Sequence, residues 1–155
     1  MNDRRLEGLR RRQANSLGFL LIRCGQLFNE RGIAGVNAEA GRPVLREAHT
    51  KLLPHLQAPD GVRITELARV LGVTKQAVQP LVAELAEAGV VRVEADPADA
   101  RARRVSLTAH GVDAMLHGTG VLERIERELQ PRLKRGEVEK LKMMLRGLLG
   151  VLEAG

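Results

Sequence analysis

The stretch Leu67-Ala68-Arg69-Val70-Leu71-Gly72-Val73-Thr74-Lys75-Gln76-Ala77-Val78 decides the fold. Three of its positions set a helix pair at close range. Ala68 is small, so a second helix can approach it. Gly72, four residues on, supplies the positive φ of a tight turn. Val78, six residues further, locks the two helices together. Leu67, Leu71, Val73, Leu81 and Leu85 provide the shared core. The first helix is expected over Ile64–Leu71, with Thr65 as its cap. The second runs from Lys75 to Ala88, capped by Thr74 and stopped by Gly89. This spacing predicts a helix-turn-helix.

Beyond Gly89 the period changes from helical to alternating. Val91 and Val93 alternate with Arg92 and Glu94, Asp96-Pro97-Ala98-Asp99 reads as a turn, and Arg103–Leu107 alternates again. The pair is a β-hairpin whose tip carries Asp96, Asp99, Arg101, Arg103 and Arg104. The expected fold is mainly α with a small β-hairpin wing, a winged helix-turn-helix with flanking dimerisation helices.

Outward from this core the chain reads as amphipathic helices. Leu17, Leu20, Leu21, Cys24, Leu27 and Phe28 fall on one face of a helix over Ser16–Arg31, ended by Gly32. The Gly- and Ala-rich segment 32–41 reads as a loop, and a further helix is expected from about Pro43, interrupted by Pro54. Thr108 caps a long helix with Val112, Met115, Thr119, Leu122, Ile125 and Leu129 on its buried face; Pro131 limits it. A last helix spans about Gly136 to Leu152, with Val138, Leu141, Leu145, Leu148, Leu149 and Leu152 inside. Such stripes must be covered. Residues 1–40 and 108–155 are therefore expected to form a helical dimerisation region around a DNA-binding lobe at 41–107. The arginines of 4–12 read as a solvated start, or as supplementary phosphate contacts.

Composition bounds the function. The 155 residues carry a net charge of +6, which favours a polyanionic partner. With two Phe, no Tyr and no Trp, the core is built from aliphatic side chains. No run reaches the ~18 apolar residues of a membrane span, and the charged start is not a secretory signal; a cytoplasmic setting without membrane association is expected. One cysteine forms no internal disulfide. The four histidines lack the spacing of a helical metal pair, and no phosphate loop or nucleophile elbow is present. No enzyme, metal or cofactor is expected.

The residues then assign roles. Thr74, Lys75, Gln76, Gln79 and Pro80 open the second helix. Gln pairs bidentately with adenine in the major groove, and Lys75 meets guanine or phosphate. Pro80 lacks the N–H that would bond the Gln76 carbonyl, an interior cost of roughly 3 kcal/mol, so a kink or an apolar contact with a thymine methyl is expected there. Arg101 at the hairpin tip suits the narrow minor groove, with Asp99 holding its guanidinium in place.

Leu67-Ala68, Leu71–Val78, Glu84-Leu85, Gly89-Val90-Val91, Asp96–Ala102 and Val105–Gly111 together resemble the MarR family of bacterial transcription regulators. The resemblance implies a homodimer on a pseudo-palindromic, double-stranded DNA operator, with the terminal helices as the dimer interface. It implies a repressor tuned by a small ligand or an oxidant. It carries Asp99 and Arg101 over as the wing pair and Thr74 to Gln79 as the recognition face. Ala100 stands where the family often has the first of two Arg, leaving Arg103 or Arg104 to compensate. Arg46, His49 and Leu53 are the expected ligand-binding residues. A redox role for Cys24 is the alternative. The apolar face of its helix argues instead for a buried, inert thiol, and the Tyr partners used by peroxide-sensing relatives are missing. A winged-helix module that binds protein rather than DNA is a further reading.

Overall fold

A computed structural model of the chain describes residues 3–42 and 44–154. Helices α1 (Asp3–Ala14), α2 (Leu17–Ala40) and α3 (Glu47–Leu52) lead, through a 3-10 turn at Leu53–Leu56, into strand β1 (Val62–Arg63). Then come α4 (Ile64–Leu71), α5 (Lys75–Glu87), β2 (Val91–Asp96), β3 (Asp99–Leu107), α6 (Ala109–Leu129) and α7 (Glu137–Glu153). Among these elements no helix is long and apolar enough to cross a membrane.

The core lies in the lobe between α3 and β3. Leu52, Leu56, Leu67, Val78 and Val105 are its most deeply buried large side chains, joined by Ile64, Ala68, Val82, Leu85 and Val91. Gly72 ends α4 at φ 66°, where its N–H bonds back to the Ala68 and Arg69 carbonyls. The helix-turn-helix geometry thus follows from Ala68, Gly72 and Val78 as predicted, whereas Val73, expected in the shared core, is exposed. Thr65 lies inside α4, whose cap position is Arg63, which makes no side-chain capping bond.

The strands form one antiparallel sheet in the order β1-β3-β2. Val105 pairs with Val62 on one side and Val93 on the other. β1 has two residues, too few to show a period in sequence.

Several expectations about the flanks are corrected. Segment 32–40 is helix, not loop: α2 runs on to Ala40 and ends at Gly41 with φ 64°. Its glycines lie where α6 packs, since a β-carbon on Gly32 would stand 2.9 Å from Leu122 Cδ2 and one on Gly35 2.6 Å from Val121 Cγ1. The helix expected from Pro43 begins at Glu47, because Asn37 Oδ1 accepts from the Val44 and Leu45 amides at 2.8 Å and holds them extended; Pro43 itself lies outside the described residues. Residues 3–14 are helical.

On α6 the buried residues are Gly111, Val121 and Ile125, while Val112 and Leu122 are exposed. Helix α7 has no buried residue, and Leu141, Leu145, Leu149 and Leu152 face outward in the single chain. Cys24, expected in apolar surroundings, is also exposed, on a first half of α2 that carries no buried residue.

Candidate nucleic-acid interface

The start of α5 is fixed by Thr74, whose Oγ1 accepts from the Ala77 amide at 3.2 Å. Val78, Val82 and Leu85 point into the core, which turns Lys75, Gln76, Gln79 and Pro80 to solvent. The helix continues through Pro80 to Glu87 without a break. The freed Gln76 carbonyl therefore lies on the exposed face, where water can satisfy it.

The wing is built by β2 and β3, with a register irregularity between Ala95 and Asp96. Arg101 and Arg103 are exposed. Asp99 acts on the backbone rather than on a guanidinium: its Oδ1 accepts from the Arg101 amide at 3.0 Å. The expected side-chain pair with Arg101 does not occur among the described residues, since this short turn brings the amide closer than the guanidinium.

Asp96 lies at the hairpin turn, paired with Asp99, yet its side chain is turned inward, with 4% of its surface exposed. Its Oδ2 accepts from Arg63 Nε at 2.6 Å and lies 3.1 Å from Arg104 Nε, and its Oδ1 accepts from the Ala98 amide at 2.8 Å. The Arg63 hydrogen bond, followed by that of Ala98, holds the carboxyl down to about 2. Arg104 also donates from Nη1 to the Asp60 carbonyl at 3.0 Å. It is thus engaged within the lobe, whereas Arg101 and Arg103 are turned outward. Arg63 was not singled out by sequence reasoning; it belongs to the short strand β1, which carries no pattern.

Behind the interface a cavity of about 1290 Å³ opens between α2, α3, α5 and α6. Arg46, His49 and Leu53 all line it. Arg46 and His49 converge on Glu84, a residue that sequence reasoning did not select for this site. Arg46 grips the Glu84 carboxylate through both Nε and Nη2, with Nε 3.0 Å from Oε2. His49 Nε2 lies 3.0 Å from the same Oε2. The Arg46 hydrogen bond, with help from His49, lowers the Glu84 pKa against the opposing effect of desolvation. Across the cavity Glu39 pairs with His117 at 2.9 Å and with Arg124.

Comparison with known proteins gives these elements a family. A family model described as MarR family matches residues 52–102, which is the lobe from the end of α3 to the wing. The chain is 32% identical over 98 residues to the transcriptional activatory protein BadR of Rhodopseudomonas palustris; the match takes in 63% of this chain and 55% of BadR, about half the length of that relative. Among solved structures it resembles the transcriptional repressor CouR bound to a 23-mer DNA duplex, with 25% identity, TM-score 0.64, and 88% of this chain and 94% of that one covered. It also resembles a MarR family protein of Mycobacterium tuberculosis in complex with p-aminosalicylic acid, with 27% identity, TM-score 0.63, and 86% and 98% covered.

Proposed function

We propose that the chain is a MarR-type winged-helix transcription regulator, a homodimeric repressor whose affinity for a pseudo-palindromic operator is tuned by a small ligand. The observation that carries the reading is the pairing of two outward-facing sets on one lobe. Lys75, Gln76 and Gln79 stand at the start of α5, and Arg101 and Arg103 stand on the wing. In this reading α5 enters the major groove, where the two Gln meet base edges and Lys75 meets guanine or phosphate. The wing places Arg101 in the adjoining minor groove, whose negative potential attracts an arginine.

The exposed apolar side chains of α1, the first half of α2, and α7 supply the dimer contact. They include Leu6, Leu20, Ile22, Leu145 and Leu149, too many large apolar groups to leave in water. The two lobes so joined reach half-sites on the same side of the duplex. The ligand occupies the cavity beside Arg46, His49 and Leu53, which borders both α5 and the helices that join the lobes. That CouR was solved on DNA and the M. tuberculosis protein with p-aminosalicylic acid supports both halves of the reading.

Sequencing the genomic DNA retained by the purified protein at ~150 mM salt tests it, because non-specific phosphate binding is weakened there. Enrichment of a palindrome is the expected result. Retention of no preferred sequence, with capture of a protein partner instead, would favour the interaction-module reading.

A further inference from the structure

We propose that Pro80, backed by Ala83, is the methyl reader of the recognition helix: its ring selects a pyrimidine that carries a C5 methyl, thymine or 5-methylcytosine, at one step of each half-site. The proposal rests on the DNA-binding reading above. It adds a base feature that the polar side chains at the start of α5 do not single out.

Three observations carry it. The first is direction. Val78, Val82 and Leu85 bury one side of α5. Gln76, Pro80, Ala83 and Glu87 recur at helical spacing and are all exposed, so they form the stripe opposite the core. This stripe is what α5 offers to a groove.

The second is the chemistry along that stripe. Gln76 at its start, with Gln79 beside it, carries both donors and acceptors. Pro80 and Ala83 have hydrocarbon side chains, and Pro80 lacks even a backbone N–H. Glu87 closes the stripe with a charge that phosphates repel. Glu84, which would bring a second acid to its flank, is held by Arg46 and His49. The middle of the stripe is therefore a small, uncharged, apolar surface next to two polar readers. In the major groove the C5 methyl of thymine is the one apolar substituent that a base pair presents. Cytosine has a bare C–H at that carbon until it is methylated.

The third is the proline itself. Thr74 caps α5 and Val78, Val82 and Leu85 fill its core side, so Pro80 serves neither purpose. Helix α5 runs unbroken from Lys75 to Glu87, so the residue does not end it either. Alanine or glutamine would suit an interior helical position better. What proline supplies is a rigid apolar ring with no rotamer freedom to lose when a methyl docks on it.

Burying one methyl group is worth about fourfold in affinity per half-site, or about fifteenfold for the two half-sites of a palindrome. A pyrimidine without the methyl forfeits that gain. A cytosine at the same step recovers it once its C5 is methylated, so the contact makes such an operator responsive to cytosine methylation.

Selection from randomised duplexes with the wild-type protein, followed by anisotropy titrations on the enriched palindrome, tests the proposal. Each thymine of the half-site is replaced in turn, symmetrically, by deoxyuridine, which keeps every hydrogen bond and lacks only the methyl. At one position wild type is expected to lose about fifteenfold, and Pro80→Ser, which regains an N–H and carries a hydroxyl, to lose little. Pro80→Val, which regains the N–H but stays apolar, should retain most of the methyl effect. With cytosine at that position, methylation of C5 should tighten binding by wild type and not by Pro80→Ser. Pro80→Ser should keep the wild-type salt slope, since no phosphate contact is removed, and should melt no lower than wild type, since serine suits a helix better than proline. Deoxyuridine tolerated at every position overturns the proposal, as does a methyl effect of equal size in Pro80→Ser. A lower melting point of Pro80→Ser would make the proline structural and overturn it too. Enrichment of no sequence by wild type overturns the regulator reading together with this one, whereas an enriched palindrome indifferent to the methyl overturns this one alone.

Discussion

Asp96 Oδ2 accepts a hydrogen bond from Arg63 Nε at 2.6 Å, so one buried carboxylate joins the entry of the helix-turn-helix to the turn of the wing. Its pKa is depressed to about 2 from the ordinary 3.8, chiefly by Arg63 and then by the Ala98 amide. A carboxyl with a depressed folded-state pKa contributes stability that is fully present above its unfolded value. That contribution is lost as pH falls from about 4 through about 2. Asp96→Asn should be less stable than wild type at neutral pH and show a flatter loss of stability on acidification. Denaturant midpoints measured from pH 6 to 2 test this; parallel curves for the two proteins would rule out Asp96 as the titrating group.

Gly111 sits against the connection between α5 and β2. A β-carbon there would stand 1.9 Å from the Val90 carbonyl oxygen, a backbone atom that cannot swing aside. The same residue donates its amide to Thr108 Oγ1 at 2.9 Å, closing the cap of α6. Gly111→Ala should destabilise the protein by about 1–3 kcal/mol, the usual range for overpacking. Gly118→Ala, on the same helix with open space around its α-carbon, should be neutral or stabilising by up to about 1 kcal/mol. Urea unfolding of both variants distinguishes local crowding from a general intolerance of alanine in α6.

Arg101→Ala should weaken operator binding by about 1–3 kcal/mol while leaving the fold intact, because the side chain is exposed and only its amide is held by Asp99. Anisotropy titrations at several salt concentrations give the answer. Unchanged affinity at every concentration would remove the wing from the interface.

The start of α5 separates by role. Lys75→Gln should reduce the salt slope of log affinity by about one unit and weaken all sequences alike, as loss of a phosphate contact does. Gln76→Ala and Gln79→Ala should instead relax base preference within each half-site, with little change in slope. Selection from randomised duplexes resolves the two outcomes. A Gln variant that keeps the wild-type preference would place that side chain away from the base edges.

The legible part of this protein is the part made by local spacing. Ala68, Gly72 and Val78 build the helix-turn-helix with neighbours close in sequence, and the hairpin announces itself by alternation. What the sequence hides depends on distant partners. Gly32 and Gly35 look like loop residues until Leu122 and Val121 are laid against them. Glu84 looks like one more solvated acid between Leu81 and Leu85, and only the fold brings it to Arg46, 38 residues away. The wing arginines read alike in sequence, yet Asp96 and the Asp60 carbonyl take Arg104 and leave Arg101 and Arg103 outward. Cys24 sits among apolar neighbours by periodicity but is exposed, because a helical stripe states what should be covered and not which chain covers it.

The two-residue strand β1 has a consequence of scale. By pairing with β3 immediately before α4, it welds the helix pair and the hairpin into one caliper with a fixed jaw opening. Neither jaw can be retuned alone, so in the proposed DNA-bound form the distance along the duplex between the points offered to Lys75 and to Arg101 is a constant of the lobe. In the proposed homodimer, what can vary is the separation between one caliper and its twin. An operator is then gauged by helical phase: a base pair inserted between half-sites turns one caliper by roughly a tenth of a turn about the duplex, a mismatch that a flexible hairpin could absorb and this one cannot.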